Sequence, residues 1–141
     1  MIASLPFDAL NKLFYDTLSG DSALTALADV YDEVPDDAAF PYVEIGQLEL
    51  DLEQAHDGGF QVMHRITAWS GAPGMKELTD VLNAILAAAW PLREPADMED
   101  GFTLDFALAK NVETGKEPHP ITREVKRVGV IRFDCAITIG G

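Results

Sequence analysis

The apolar residues of this chain change their spacing several times, and each change marks a predicted element. Phe7, Leu10, Phe14 and Leu18 recur at three- and four-residue steps, with Leu13 beside them and Asp8, Lys12 and Asp16 opposite. That period predicts a helix over residues 5–18, with Ser4 as N-cap, Pro6 in the first turn and Gly20 as the stop. A short second turn runs from Asp21 to Leu27, capped by Asp21 or Ser22. Met75, Leu78, Val81, Leu82, Ile85, Leu86 and Ala89 trace a longer stripe, a helix over 73–90 that Pro91 ends. Trp69 and Trp90, at the ends of strongly periodic elements, are expected in the core.

Elsewhere the period is two. Val30 and Tyr31 start an extended segment ending at Val34-Pro35, and Asp36–Ala39 reads as a turn. A strand over 42–53 contains a phase error: Val43 and Ile45 are apolar at odd positions, but Leu48, Leu50 and Leu52 at even ones. A strand cannot change face without an extra residue, so a bulge is expected at Gly46-Gln47, or a strand that leaves the sheet there as a projecting arm. Residues 60–69 return as its hairpin partner after the turn Ala55–Gly59. Pro91–Gly101 is rich in turn residues; then Phe102, Leu104, Phe106 and Leu108 alternate as a half-buried strand, and Ile131, Phe133, Cys135, Ile137 and Ile139 form one face of a last strand over 125–139. Asn111–Glu124, with Gly115, Pro118 and Pro120, reads as a long mobile loop or arm. The expected architecture is α+β: one domain over 1–141, an antiparallel or mixed sheet of about five strands, two main helices packed on one face, and a projecting hairpin arm.

Charge narrows the function. The net charge is −14, with 24 acidic against 10 basic residues, which disfavours a phosphate-binding surface or adhesion to an anionic membrane. Residues 1–60 carry a net −12 and residues 61–141 a net −2, which suggests either opposed surfaces that meet copies of the same chain or different partners, or simply solvated acidic loops and helix faces. One cysteine excludes an internal disulfide framework, and the absence of a basic leader or an apolar run of membrane length points to a soluble protein made in the cytosol.

The catalytic inventory is thin. His56, His64 and His119 stand in no metal-ligand spacing; His64 reads as a core or interface residue, His56 as part of a solvated turn, and His119, between two prolines, as surface loop. Cys135 falls in an apolar row and reads as a small buried hydrophobe. No nucleophile elbow or P-loop is present, and Gly71–Gly74 reads as a tight strand-to-helix turn rather than an anion site. No catalytic residue, cofactor or metal is expected. The dense basic cluster Arg123, Lys126 and Arg127 is better suited to an acidic protein surface than to nucleic acid.

The run Val30-Tyr-Asp-Glu-Val-Pro-Asp-Asp-Ala-Ala-Phe-Pro-Tyr-Val-Glu-Ile-Gly46 resembles the tail completion (tail terminator) proteins of long-tailed bacteriophages and gene transfer agents. The order of elements agrees: an N-terminal helix, this run, a strand closing at Trp69-Ser70, an amphipathic helix, and two C-terminal strands with Arg132-Phe133 in the last. The resemblance implies a non-enzymatic virion protein at the head–tail junction, made in the host cytoplasm. It implies a homomeric ring, hexameric in the family, that caps the tail tube, ends its polymerisation and joins it to the head connector. The implied partners are its own copies, the major tail tube protein and a head-completion protein, with DNA only as cargo through the lumen. Leu48, Leu50, Leu52, His56 and Asp57 on one side, and Arg123, Lys126 and Arg127 on the other, are the candidate interface residues. The rival reading is a small α+β enzyme or ligand-binding domain with a site between the sheet and helix 73–90. A DNA-mimicking decoy would need an unbroken acidic surface, which the three leucines interrupt.

Overall fold

The computed structural model describes residues 4–52 and 58–139. The first stripe forms α1 (Phe7–Ser19), followed by the single turn α2 (Ser22–Thr25) and the short strand β1 (Asp29–Tyr31). Then come the hairpin β2 (Tyr42–Leu50) and β3 (Gly59–Ser70), helix α3 (Lys76–Ala89), and strands β4 (Ala96–Asp97), β5 (Phe102–Pro118) and β6 (Val125–Ile139). Among the described residues the sheet has six strands in the order β1-β2-β3-β6-β5-β4. The β1–β2 pair is parallel and the other pairs there are antiparallel, so the sheet is mixed. The strand beyond the expected five is β4, two residues within the turn-rich segment and too short to show a period of two.

α1 and α3 cover one face. Leu10, Phe14, Leu78, Val81, Leu82 and Ile85 join Val43, Ile45, Phe60, Val62, Ile66, Ile131, Phe133, Cys135 and Ile137 in a single core. At Gly129 a Cβ would stand 2.9 Å from Leu82 Cδ1, so α3 rests on the bare backbone of β6. On the other face, Tyr42, Trp69 and Val128 form a smaller cluster capped by Tyr31, Val34, Ala38 and Phe40.

Helix starts follow the backbone more than the side chains. Pro6, not Ser4, is the N-cap of α1: no side chain caps there, and the Pro6 carbonyl accepts the Leu10 N–H at 2.9 Å. Asp21 does cap α2, its Oδ1 accepting the Leu24 N–H at 2.9 Å.

The phase error in β2 is a bulge. Register with β3 shifts between Ile45 and Leu48, where Gly46 and Gln47 adopt φ of +146° and +69°. The extra residue returns Leu48 and Leu50 to the covered face, opposite His64 and Val62. The strand stays paired with β3 as far as Leu50, so no arm branches off at the bulge.

The segment 111–124 is a correction. Residues 111–118 continue β5 against 125–132 of β6, and only 119–124 turn. Asn111–Pro118 is exposed on both faces and so carries no alternation for a period to reveal. β5 also shifts register between Leu104 and Phe106; Leu104 and Ala107 are buried as a result, while Phe106 faces out. Trp90 is a second correction. It falls past the end of α3, 63% exposed, with the Arg93 guanidinium 4.0 Å from its ring centroid; Trp69 is buried as expected.

Candidate functional site

The β5–β6 turn concentrates the basic residues. Arg127 donates from Nε to the Pro73 carbonyl at 2.8 Å, and its Nη1 lies 3.1 Å from Met75 Sδ. Lys126 Nζ stands 3.4 Å from Glu124 Oε2 and 5.1 Å from the Phe40 ring centroid. Arg123 is exposed in the turn at φ +66°. A cleft of about 290 Å³ is lined by Lys116, Val125, Lys126, Arg127 and the turn Gly71–Pro73. Lys116 was hidden in sequence because the segment around it looked like loop; strand register places it opposite Arg127.

The turn is held from inside by His119. Its ring is buried, 4.8 Å from Trp69, 5.0 Å from Phe40 and 5.8 Å from Tyr42, centroid to centroid. Nδ1 accepts the backbone N–H groups of Ile121 and Thr122, each at 3.2 Å. The proton therefore sits on Nε2, which donates to Tyr42 Oη at 2.6 Å. Burial and the Lys126 charge push the His119 pKa down, and burial, with Glu44 behind it, pushes the Tyr42 hydroxyl up to about 12. His119 is thus the opposite of the surface-loop residue expected from its two prolines.

Across the sheet the charge has the other sign. Asp29, Tyr42, Trp69, Val128 and Gly115 form one row of register partners from β1 to β5. Four strand spacings, roughly 19 Å, separate its ends. On the β1 side, Asp29, Asp32, Glu33, Asp36 and Asp37 are exposed, with no base among residues 29–37. On the β5 side, residues 110–127 hold five bases and three acids.

The leucines of β2 divide. Leu48 and Leu50 are half-buried and pack against the core of their own chain, while Leu52 is 63% exposed. His56 and Asp57 lie outside the described residues. Sequence reasoning also missed the surface around Trp90, where Leu86, Ala89, Arg93, Ala107 and Leu108 border a second cleft of about 280 Å³. Its signal was that Trp90 stands four residues after Leu86, at the margin of the α3 stripe rather than at its centre.

The groups that could carry chemistry are built into the fold. His64 is fully buried, its ring 4.5 Å from that of Phe14. Its Nε2–H donates to Asn11 Oδ1 at 3.2 Å, and Asn11 Nδ2 in turn donates to Asp32 at 2.6 Å. Burial lowers its pKa to about 3, and the Cys135 thiol, buried beside Asp134, is raised to about 12. Among the described residues no three His, Cys, Asp or Glu side chains gather as a metal site. Core side chains fill the layer between the sheet and α3; a cleft of about 460 Å³ lies outside it at the start of the helix, against Leu27, Pro41 and Gly74. No helix among the described residues is long and apolar enough to cross a membrane.

A family model described as "Tail completion protein gp17" matches residues 13–116. No curated relative matches the sequence. A solved chain from a structure described as "Virion of native gene transfer agent (GTA) particle" superposes with a TM-score of 0.72 at 19% identity. The match covers 92% of this chain and 96% of that one, and at that identity it shows a shared fold.

Proposed function

The chain belongs to the tail completion protein gp17 family, a family of structural proteins of the virion tail, and from that premise we propose that it forms a homomeric ring ending the tail tube. In this reading the ring caps the tube, stops its polymerisation and joins it to the head connector, and is hexameric as in the proteins it resembles. Its partners are its own copies, the major tail tube protein and a head-completion protein, with DNA passing through as cargo.

The observation that carries the reading is the unlike charge of the two sides of one sheet. A closed ring needs heterologous contacts, because a self-complementary patch stops at a dimer. An exposed acidic edge at β1 and a basic turn after β5, on the same end of the sheet, give each subunit a front and a back. Arg123, Lys126 and Arg127 sit on the basic side; Leu52 stands exposed just beyond the end of β2, with Leu48 and Leu50 on the strand before it. The net charge of −14 suits a lumen that does not retain phosphates.

The test is to add the purified chain to growing tubes of the tail tube protein and follow their length by electron microscopy. Capping gives tubes of fixed length with a ring at one end. Continued growth at the original rate, with bare ends, would refute the proposal.

A further inference from the structure

The cleft between the β5–β6 turn and the turn Gly71–Pro73 is the place where three bases of an acidic protein converge. Lys116 comes from β5, Lys126 and Arg127 from β6. Each wall is fixed by a contact already described. Arg127 is tied to the Pro73 carbonyl, which sets the distance between the two walls. Lys126 lies against the Phe40 ring, and His119 packs edge-on against the same ring. The main chain closes the turn through His119 as well: its N–H donates to the Glu124 carbonyl at 2.8 Å, and its carbonyl accepts the Arg123 N–H at 2.9 Å.

The geometry points to this cleft as the socket for a carboxylate-bearing segment of a second copy of the chain, with His119 as the positioning residue that keeps the socket in shape while its imidazole is neutral. The inference rests on the ring reading and names the contact within it. The occupant follows from charge. The exposed run Asp32, Glu33, Asp36 and Asp37 leaves β1 at the other end of the same row of strands, where a head-to-tail neighbour presents it.

The neutral form matters because of what faces Nδ1. Two backbone N–H groups point at its lone pair. A proton there would set three donors against one another, and the ring would have to leave the turn. The charged and titratable groups around it are Lys126 with its partner Glu124 on the β6 side, Tyr42 and Glu44 on β2, and Tyr31 with Asp29 on β1. Lys126 opposes protonation directly, and Tyr42 stays a neutral hydroxyl throughout the physiological range. A partner's carboxylates remain ionised well below neutral pH, so acid weakens this contact from the His119 side first. His64 stays neutral over the same interval because its pKa lies near 3.

Two readouts on the full chain test this. In the monomer, NMR should show the Ile121 and Thr122 amides shifting with the titration of His119 as pH falls below about 6.5. In assembly, sedimentation velocity should show association weakened about tenfold between roughly pH 7.5 and a pH low enough for those amides to report a protonated His119, the equivalent of one lost charged contact. His119→Asn keeps an acceptor oxygen near the Nδ1 position but cannot titrate, so it should associate equally at both values. An Asn variant as acid-sensitive as the wild type, or amides that ignore His119, would overturn the positioning role. A chain that stays monomeric at both pH values while the amides do follow His119 would overturn the second copy as occupant and the ring reading with it.

Discussion

On the helix-covered face, His64 lies beside Phe14, opposite Phe133 in register, and reaches Asn11; on the other face, His119 lies among Phe40, Tyr42 and Trp69 and reaches Tyr42 and two amides of its own turn. Both rings are buried and held neutral, yet they do different jobs. The partners of His64 come from α1 and the sheet, so the ring contributes to the fold as a whole. Two of the partners of His119 are amides in a six-residue turn, so its ring fixes a local shape at the surface. A buried polar group reports its role through what its hydrogen bonds hold together, not through its burial.

The comparison can be sharpened first on the covered face. Phe14→Ala removes the ring that packs on both His64 and Phe133, at centroid distances of 4.5 and 5.2 Å. It should lower unfolding stability by about 3–5 kcal/mol in urea titrations. Next in size is acid. His64 is neutral in the folded state with a pKa near 3 against an ordinary 6.5, so its contribution is complete above about pH 6.5 and is lost as pH falls toward 3. Between pH 6.5 and 5 the loss should be about 2 kcal/mol, since each unit corresponds to about 1.4 kcal/mol. A stability profile flat across that interval would show that His64 is solvated or charged in the native state.

On the other face the effects should be smaller and local. Tyr42→Phe removes the acceptor for His119 Nε2–H and should cost about 1–2 kcal/mol, with hydrogen exchange rising most in residues 119–124. Exchange that rises evenly over the whole sheet would mean the two clusters are one cooperative unit. The smallest stability change belongs to a residue in neither cluster. Trp90→Ala should alter stability by less than about 0.5 kcal/mol because the ring is already 63% exposed, yet it should weaken assembly if the Trp90–Arg93 pair is an interface anchor.

Much of this molecule was legible where one face meets a core. The stripes of α1 and α3 and the alternation of β6 appear almost where their periods place them, and even the bulge at Gly46-Gln47 was written in the change of leucine phase. Legibility failed where burial comes from distant residues. Asn111–Pro118 is a strand because β6 pairs with it, not because its side chains alternate. His119 is buried because Phe40, Tyr42 and Trp69, each at least 50 residues away in sequence, close over it. Of the candidate interface residues, Lys126 and Arg127 line one cleft together with an unforeseen Lys116, Arg123 stands exposed in the adjoining turn, and Leu48 and Leu50 pack against the core of their own chain.

The central claim is that unlike sides of one sheet bring subunits together, and reversing the charge of one side tests it directly. Sedimentation velocity at low salt should compare the wild type with Arg123→Glu, Lys126→Glu and Arg127→Glu combined. Exposed pairs contribute only about 0–1 kcal/mol each and act mainly on encounter, so the rate of ring formation should fall clearly while the folded monomer persists. The difference should shrink as salt is added, because screening removes the steering. Identical assembly rates at low salt, with the triple variant folded, would contradict the account and remove the basic turn from the interface.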